Sequence, residues 1–178
     1  MKKLVLSIVS VLALNTINNQ QEMYASANNL VFGKGIYLTE WSEIKSNYEK
    51  EVESFDFSSE IKKLQKEIAE YDITKDLIYD DSEKSIYDVT FNRKTSKAKV
   101  AYNNNGEIIG SLEKYKNVKL PASLRFKILK DNPEFAIDGN RVTIKYHNSL
   151  GATISYKVTI SNGKQRKTLK FDKNYNLI

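Results

Sequence analysis

The sequence predicts an α+β fold, in which two tandem duplicated helix-plus-antiparallel-sheet units follow an N-terminal helical extension. Three observations lead there. Apolar residues recur at helical spacing as far as Tyr71, and from Ile86 the period becomes two. A second helical stretch near Leu124 is followed by a second run of period-two segments. Finally, Tyr87–Ile109 lies on Tyr156–Ile178 without a gap. The division that results is 1–27 leader, 28–57 arm and helix, 58–118 first unit and 119–178 second unit.

The chain opens MKKLVLSIVSVLALN. Lys2 and Lys3 precede an apolar run from Leu4 to Leu14, shorter than the roughly 20 residues a membrane-spanning helix needs. A basic start, a short apolar run and the small-residue stretch Ala25-Ser26-Ala27 together predict a signal peptide cleaved before Asn28. The expected location is therefore periplasmic or extracellular, with no stable membrane anchor after cleavage. The chain has no cysteine, which excludes disulfides, thiolate metal sites and a lipoprotein anchor. A net charge of +6 favours an acidic partner surface without indicating nucleic acid.

The segment Leu30–Leu38 reads as an extended arm interrupted by Gly33 and Gly35. Trp41, Ile44, Tyr48, Val52 and Phe55 then fall on one helical stripe, with Thr39 as N-cap. A second helix over Glu60–Glu70 carries Phe57, Ile61, Leu64, Ile68 and Tyr71 on its apolar side. A strand-like segment is expected around Leu77–Tyr79, followed by a turn. Tyr87, Val89 and Phe91 alternate with polar residues, and after a turn at Asn92–Ser96 so do Ala98, Val100 and Tyr102. Past Asn105-Gly106 a third strand carries Ile108 and Leu112. Pro121 starts the next helix, with Leu124 and Ile128 inward, and Asn132-Pro133 ends it. Val142, Ile144 and Tyr146, then Ile154, Tyr156, Val158 and Ile160, then Leu169 and Phe171, mark the last strands.

In the gapless overlay five of twenty-three pairs are identical, and the apolar phase is kept throughout, which argues for a repeated unit over chance. A single hairpin cannot bury its apolar face alone, so two units also make physical sense.

An aromatic followed by a polar x-N-G turn (Tyr102 to Gly106), Leu120-Pro121 opening a helix, and Asn132-Pro133 closing it resemble motifs of the PepSY-like, beta-lactamase-inhibitor-like secreted proteins of Bacteroidota. The resemblance covers roughly Glu60 to Ile178. It implies a tandem α+β domain whose exposed sheet face binds a protein. Disulfides hold the inhibitors of that group, so beta-lactamase inhibition is not carried over to this chain. An adenylyltransferase label used for some relatives needs a His-x-x-His type motif, and His147 is the sole histidine.

Catalytic chemistry finds little support. A Ser-His-Asp set would have to combine His147 with Ser149 and an acid such as Asp138, without a nucleophile elbow or Gly-rich oxyanion loop. By period, His147 reads as a surface residue at a strand end. Asp76, Asp80, Asp81 and Glu83 lack the glycine and spacing of a calcium loop and read as a solvated turn. No catalytic, cofactor-binding or metal residue is assigned, and no cofactor is expected.

Lys97, Lys99, Arg141, Lys145, His147, Lys157 and Lys170 all fall opposite the apolar phase, with Thr143 and Thr159 among them. They predict a basic sheet face open to a protein or peptide partner. Sheet readers of RNA show aromatics on the open face, whereas the aromatics here share the core phase, which argues against nucleic acid. The reading is a non-catalytic binding module of the bacterial envelope. Its alternatives are an envelope hydrolase built on carboxylates or His147, and a structural or stress-related protein without a discrete ligand.

Overall fold

The structure, a computed structural model, describes residues 5–9, 48–80, 82 and 85–178. The arm at Leu30–Leu38, the Thr39 cap, Trp41 and Ile44 lie outside these, as do Asp81 and Glu83. The described elements are β1 (Val5–Val9), α1 (Tyr48–Glu53), α2 (Ser59–Ala69), a 3-10 turn (Ile73–Lys75), β2 (Ile86–Asn92), β3 (Ser96–Tyr102), β4 (Ile108–Lys116), α3 (Ala122–Asp131), β5 (Ala136–His147), β6 (Gly151–Ser161) and β7 (Arg166–Phe171). The α+β class is thus observed. The strands form one sheet in sequence order, every neighbouring pair antiparallel.

One apolar layer joins helices and sheet. Ile61, Leu64 and Ile68 of α2 and Leu124 and Ile128 of α3 are buried in the same cluster as Val89, Val100, Ile144, Tyr156 and Val158. The spacing of these helical residues at three and four puts them on one face. Each such aliphatic contributes about 1.5–3 kcal/mol by leaving water. Tyr48 and Val52 of α1 join this layer, and Tyr48 meets Tyr146 edge-on at 5.2 Å. Glu51 accepts the Ala152 N–H at 3.4 Å, which ties α1 to the β5–β6 turn.

Two local expectations change. Leu77–Tyr79 is a turn: Asp76 Oδ1 accepts the Ile78 N–H, its carbonyl accepts the Tyr79 N–H, and Leu77 is fully exposed. Local side-chain hydrogen bonds from aspartate outcompete a strand ladder there. In the third strand, Ile108 and Leu112 end on opposite faces. Ile108 pairs with Tyr102 and Gly110 with Ala101, so Ile109 is an extra residue that reverses the phase. Ser111, Glu113 and Tyr115 consequently face the helices and are completely buried.

The two overlaid hairpins match in register. Tyr87 pairs with Tyr102 as Tyr156 pairs with Phe171, and Asn92 pairs with Lys97 as Ser161 pairs with Arg166. Their closing turns match as well. Asn103 Oδ1 accepts the N–H groups of Asn105 and Glu107, and Asp172 Oδ1 accepts those of Asn174 and Asn176. Gly106 and Tyr175 both have positive φ, 77° and 64°. The elements in front of the hairpins differ. In the first half α2 runs directly on to β2, whereas in the second α3 is followed by β5 before β6 begins.

Candidate partner-binding face

Burying alternate residues against the helices sends the others to the far side of the sheet, where cations dominate. Lys116, Arg141, Lys157 and Lys170 stand directly opposite one another on β4, β5, β6 and β7, and all four are exposed. At about 4.8 Å per strand, the row is about 14 Å long. Beside it, exposed Lys97 and Lys114 are paired across β3 and β4. Further along, half-buried Lys99 and exposed Lys145 flank Leu112. None of the four residues in the row forms an ion pair with a described residue.

Like charges directly opposite one another destabilise a sheet. Lysines often protect edge strands, yet β4, β5 and β6 are interior strands, so that role does not account for the row. The carboxylates nearby are few. Asp88 of β2 lies near Lys99, whose charge partly opposes the upward push of burial on its pKa. Asp138, at the bulge in β5, is held by Arg166 at 2.9 Å.

Of the residues expected on this face, Lys97, Lys99, Arg141, Lys145, Lys157 and Lys170 are there. His147 is the correction. It pairs with Gly110 and Gly151 in the same register, but it is buried, with only 2% of its surface exposed. Its Nδ1 accepts the Ser149 N–H at 3.2 Å and lies 2.7 Å from Ser149 Oγ. Accepting the backbone N–H at Nδ1 leaves the ring proton on Nε2, and burial lowers the imidazole's pKa. Asp138 is engaged by Arg166, so the Ser-His contact belongs to the turn between β5 and β6.

Lys114 and Lys116 are the face residues that strand alternation did not supply, because the extra residue at Ile109 reverses the phase of β4. The signal that could have found them is Ser111-x-Glu113-x-Tyr115, three hydrogen-bonding side chains at period two. Glu113 accepts from Tyr48 Oη at 2.9 Å, Ser111 Oγ at 2.8 Å, Tyr115 Oη at 2.6 Å and Gln65 Nε2 at 3.4 Å. Burial raises its pKa, and the four hydrogen bonds oppose that only in part. The same carboxyl and burial push Tyr48 and Tyr115 well above the ordinary phenol range, so both stay neutral donors. Gln65 also lines a groove between α1 and α2 with Glu49, Val52, Glu53, Lys62 and Lys66.

Among the described residues no cluster of metal-ligating side chains occurs, and no helix is long and apolar enough to cross a membrane. No family model matches this sequence, and no curated protein or solved structure shows significant similarity to it.

Proposed function

We propose that this protein is a secreted, non-catalytic binding module of the bacterial envelope that takes an acidic protein or peptide on its lysine-rich sheet face. The observation that carries this reading is the row Lys116–Arg141–Lys157–Lys170. Four exposed cations share four neighbouring strands, three of them interior, without a carboxylate partner among the described residues. An acidic surface placed there relieves their mutual repulsion and is steered to the face by the field. The rigid sheet fixes the spacing of the charges before the partner arrives, which lowers the ordering cost of association.

The PepSY-like, tandem-duplicated reading belongs to the same proposal. The equal registers and equal turns of the β2–β3 and β6–β7 hairpins support it. The test is a titration of a fluorescent glutamate-rich peptide at low salt. Arg141→Glu with Lys157→Glu is expected to weaken binding at least tenfold, and raising the salt to weaken binding of the unaltered protein. Unchanged affinity in the double variant would show that the face is the wrong one.

A further inference from the structure

Superimposing one hairpin on the other reveals a strand position filled in different ways. In the second half, β5 lies along the side of β6 that faces away from β7, with Val142 opposite Tyr156 and Gly139 opposite Thr159. The equivalent side of β2 faces away from β3. No strand from the first helix-and-hairpin unit occupies it, because α2 leads through the 3-10 turn directly to β2. Val5–Val9 lies there instead, antiparallel, with Val5 opposite Thr90 and Val9 opposite Ile86.

We propose that the outer side of β2 is an acceptor site for an extended apolar strand, occupied by Val5–Val9 in the unprocessed chain and by a segment of a partner polypeptide after the leader is removed. The inference rests on cleavage before Asn28, and is independent of the lysine face. Three features carry it. The fold itself uses this position for a strand in its other half. The present occupant, Val-Leu-Ser-Ile-Val, fixes the chemistry of the ligand: short, extended and rich in aliphatic and β-branched residues. Finally, β2 loses the pairing on one side when residues 1–27 leave, so its outward N–H and C=O groups become available for strand addition.

The experiment compares chain recovered after secretion, its start checked by intact mass, with unprocessed chain. The probe is a synthetic peptide of residues 2–10, whose two lysines keep it soluble. The processed chain is expected to bind it at least tenfold more tightly than the unprocessed chain, with slowed hydrogen exchange at the outward amides of Ile86–Thr90. A peptide carrying Ser7→Pro is expected to bind at least tenfold more weakly, since Ser7 stands opposite Asp88, whose backbone groups face away from β3, and proline removes a ladder donor there. The unprocessed chain carrying Ser7→Pro is the second arm: its opened site should accept the unaltered peptide even if the processed chain folds poorly. Lys157→Glu should leave peptide binding unchanged, which separates this site from the lysine face. Equal binding by both forms overturns the inference. So do outward amides protected without peptide, dimerisation of the processed chain through β2, or a leader retained on the secreted protein.

Discussion

The two faces of β4 handle charge in opposite ways. On the helix side Glu113 is a fully buried acid whose hydrogen-bond partners among the described residues are neutral donors, two phenols, a serine and an amide. On the far side Lys114 and Lys116 are exposed cations without an ion pair to a described residue. Among the described residues, neighbours along one strand are thus an acid without a cation and cations without an acid. Linking them is sterically impossible, because adjacent side chains of a strand point to opposite sides. The buried face satisfies its charge internally and gains rigidity from α1, α2 and β4 being held at one carboxyl. The exposed face leaves its charge to whatever arrives from outside.

That contrast predicts unequal responses to substitution. Glu113→Ala should have the largest effect, a loss of about 3–5 kcal/mol, because it leaves buried donors unpaired and opens a cavity. A urea denaturation midpoint within error of the parent protein's would refute the view of Glu113 as the tie between layers.

Glu113→Gln should cost less, about 1–2 kcal/mol, and should change how stability depends on pH. The folded-state pKa of Glu113 is raised, so the folded protein holds its proton to higher pH than the unfolded chain. The stability this contributes is fully present below the unfolded value and is lost as pH rises through the folded one. Relative to Glu113→Gln, the parent should therefore lose stability on going from acid toward neutral pH. A gap that stays constant, or moves in the parent's favour, would contradict the assignment.

The smallest effect belongs to the other face. Lys157→Thr removes the cation between Arg141 and Lys170, and should raise stability by about 0.2–1 kcal/mol at low salt. High salt should abolish the gain by screening. A loss of stability at low salt would mean that the row is not under repulsive strain.

Much of the fold was legible because period-two segments with short turns determine register locally. The overlay of Tyr87 on Tyr156 placed both hairpins correctly, down to the equivalence of Asn103 and Asp172 in their turns. Tyr175 adopts the positive φ that Gly106 adopts, which fits the view of this loop as a corner of the sheet. What escaped was set by contacts distant in sequence. A bulge at Ile109 leaves no mark in an apolar pair such as Ile108-Ile109, yet it decides which side of the sheet Glu113 and Lys114 occupy. Burial of His147 likewise depends on packing beyond its own strand, whereas alternation assigns only its side. Leu77 looked like a strand residue by composition, and its aspartate neighbours turned it outward.

The last residues have a consequence of their own. Leu177 bridges back to Phe171, and the Ile178 N–H reaches the Lys170 carbonyl at 3.1 Å, so the tail folds over the Lys170–Phe171 end of β7. A bare edge there would present a flat template on which identical molecules could polymerise. The folded tail and the charges of Arg166, Lys167 and Lys170 instead make that border a poor seed for fibres.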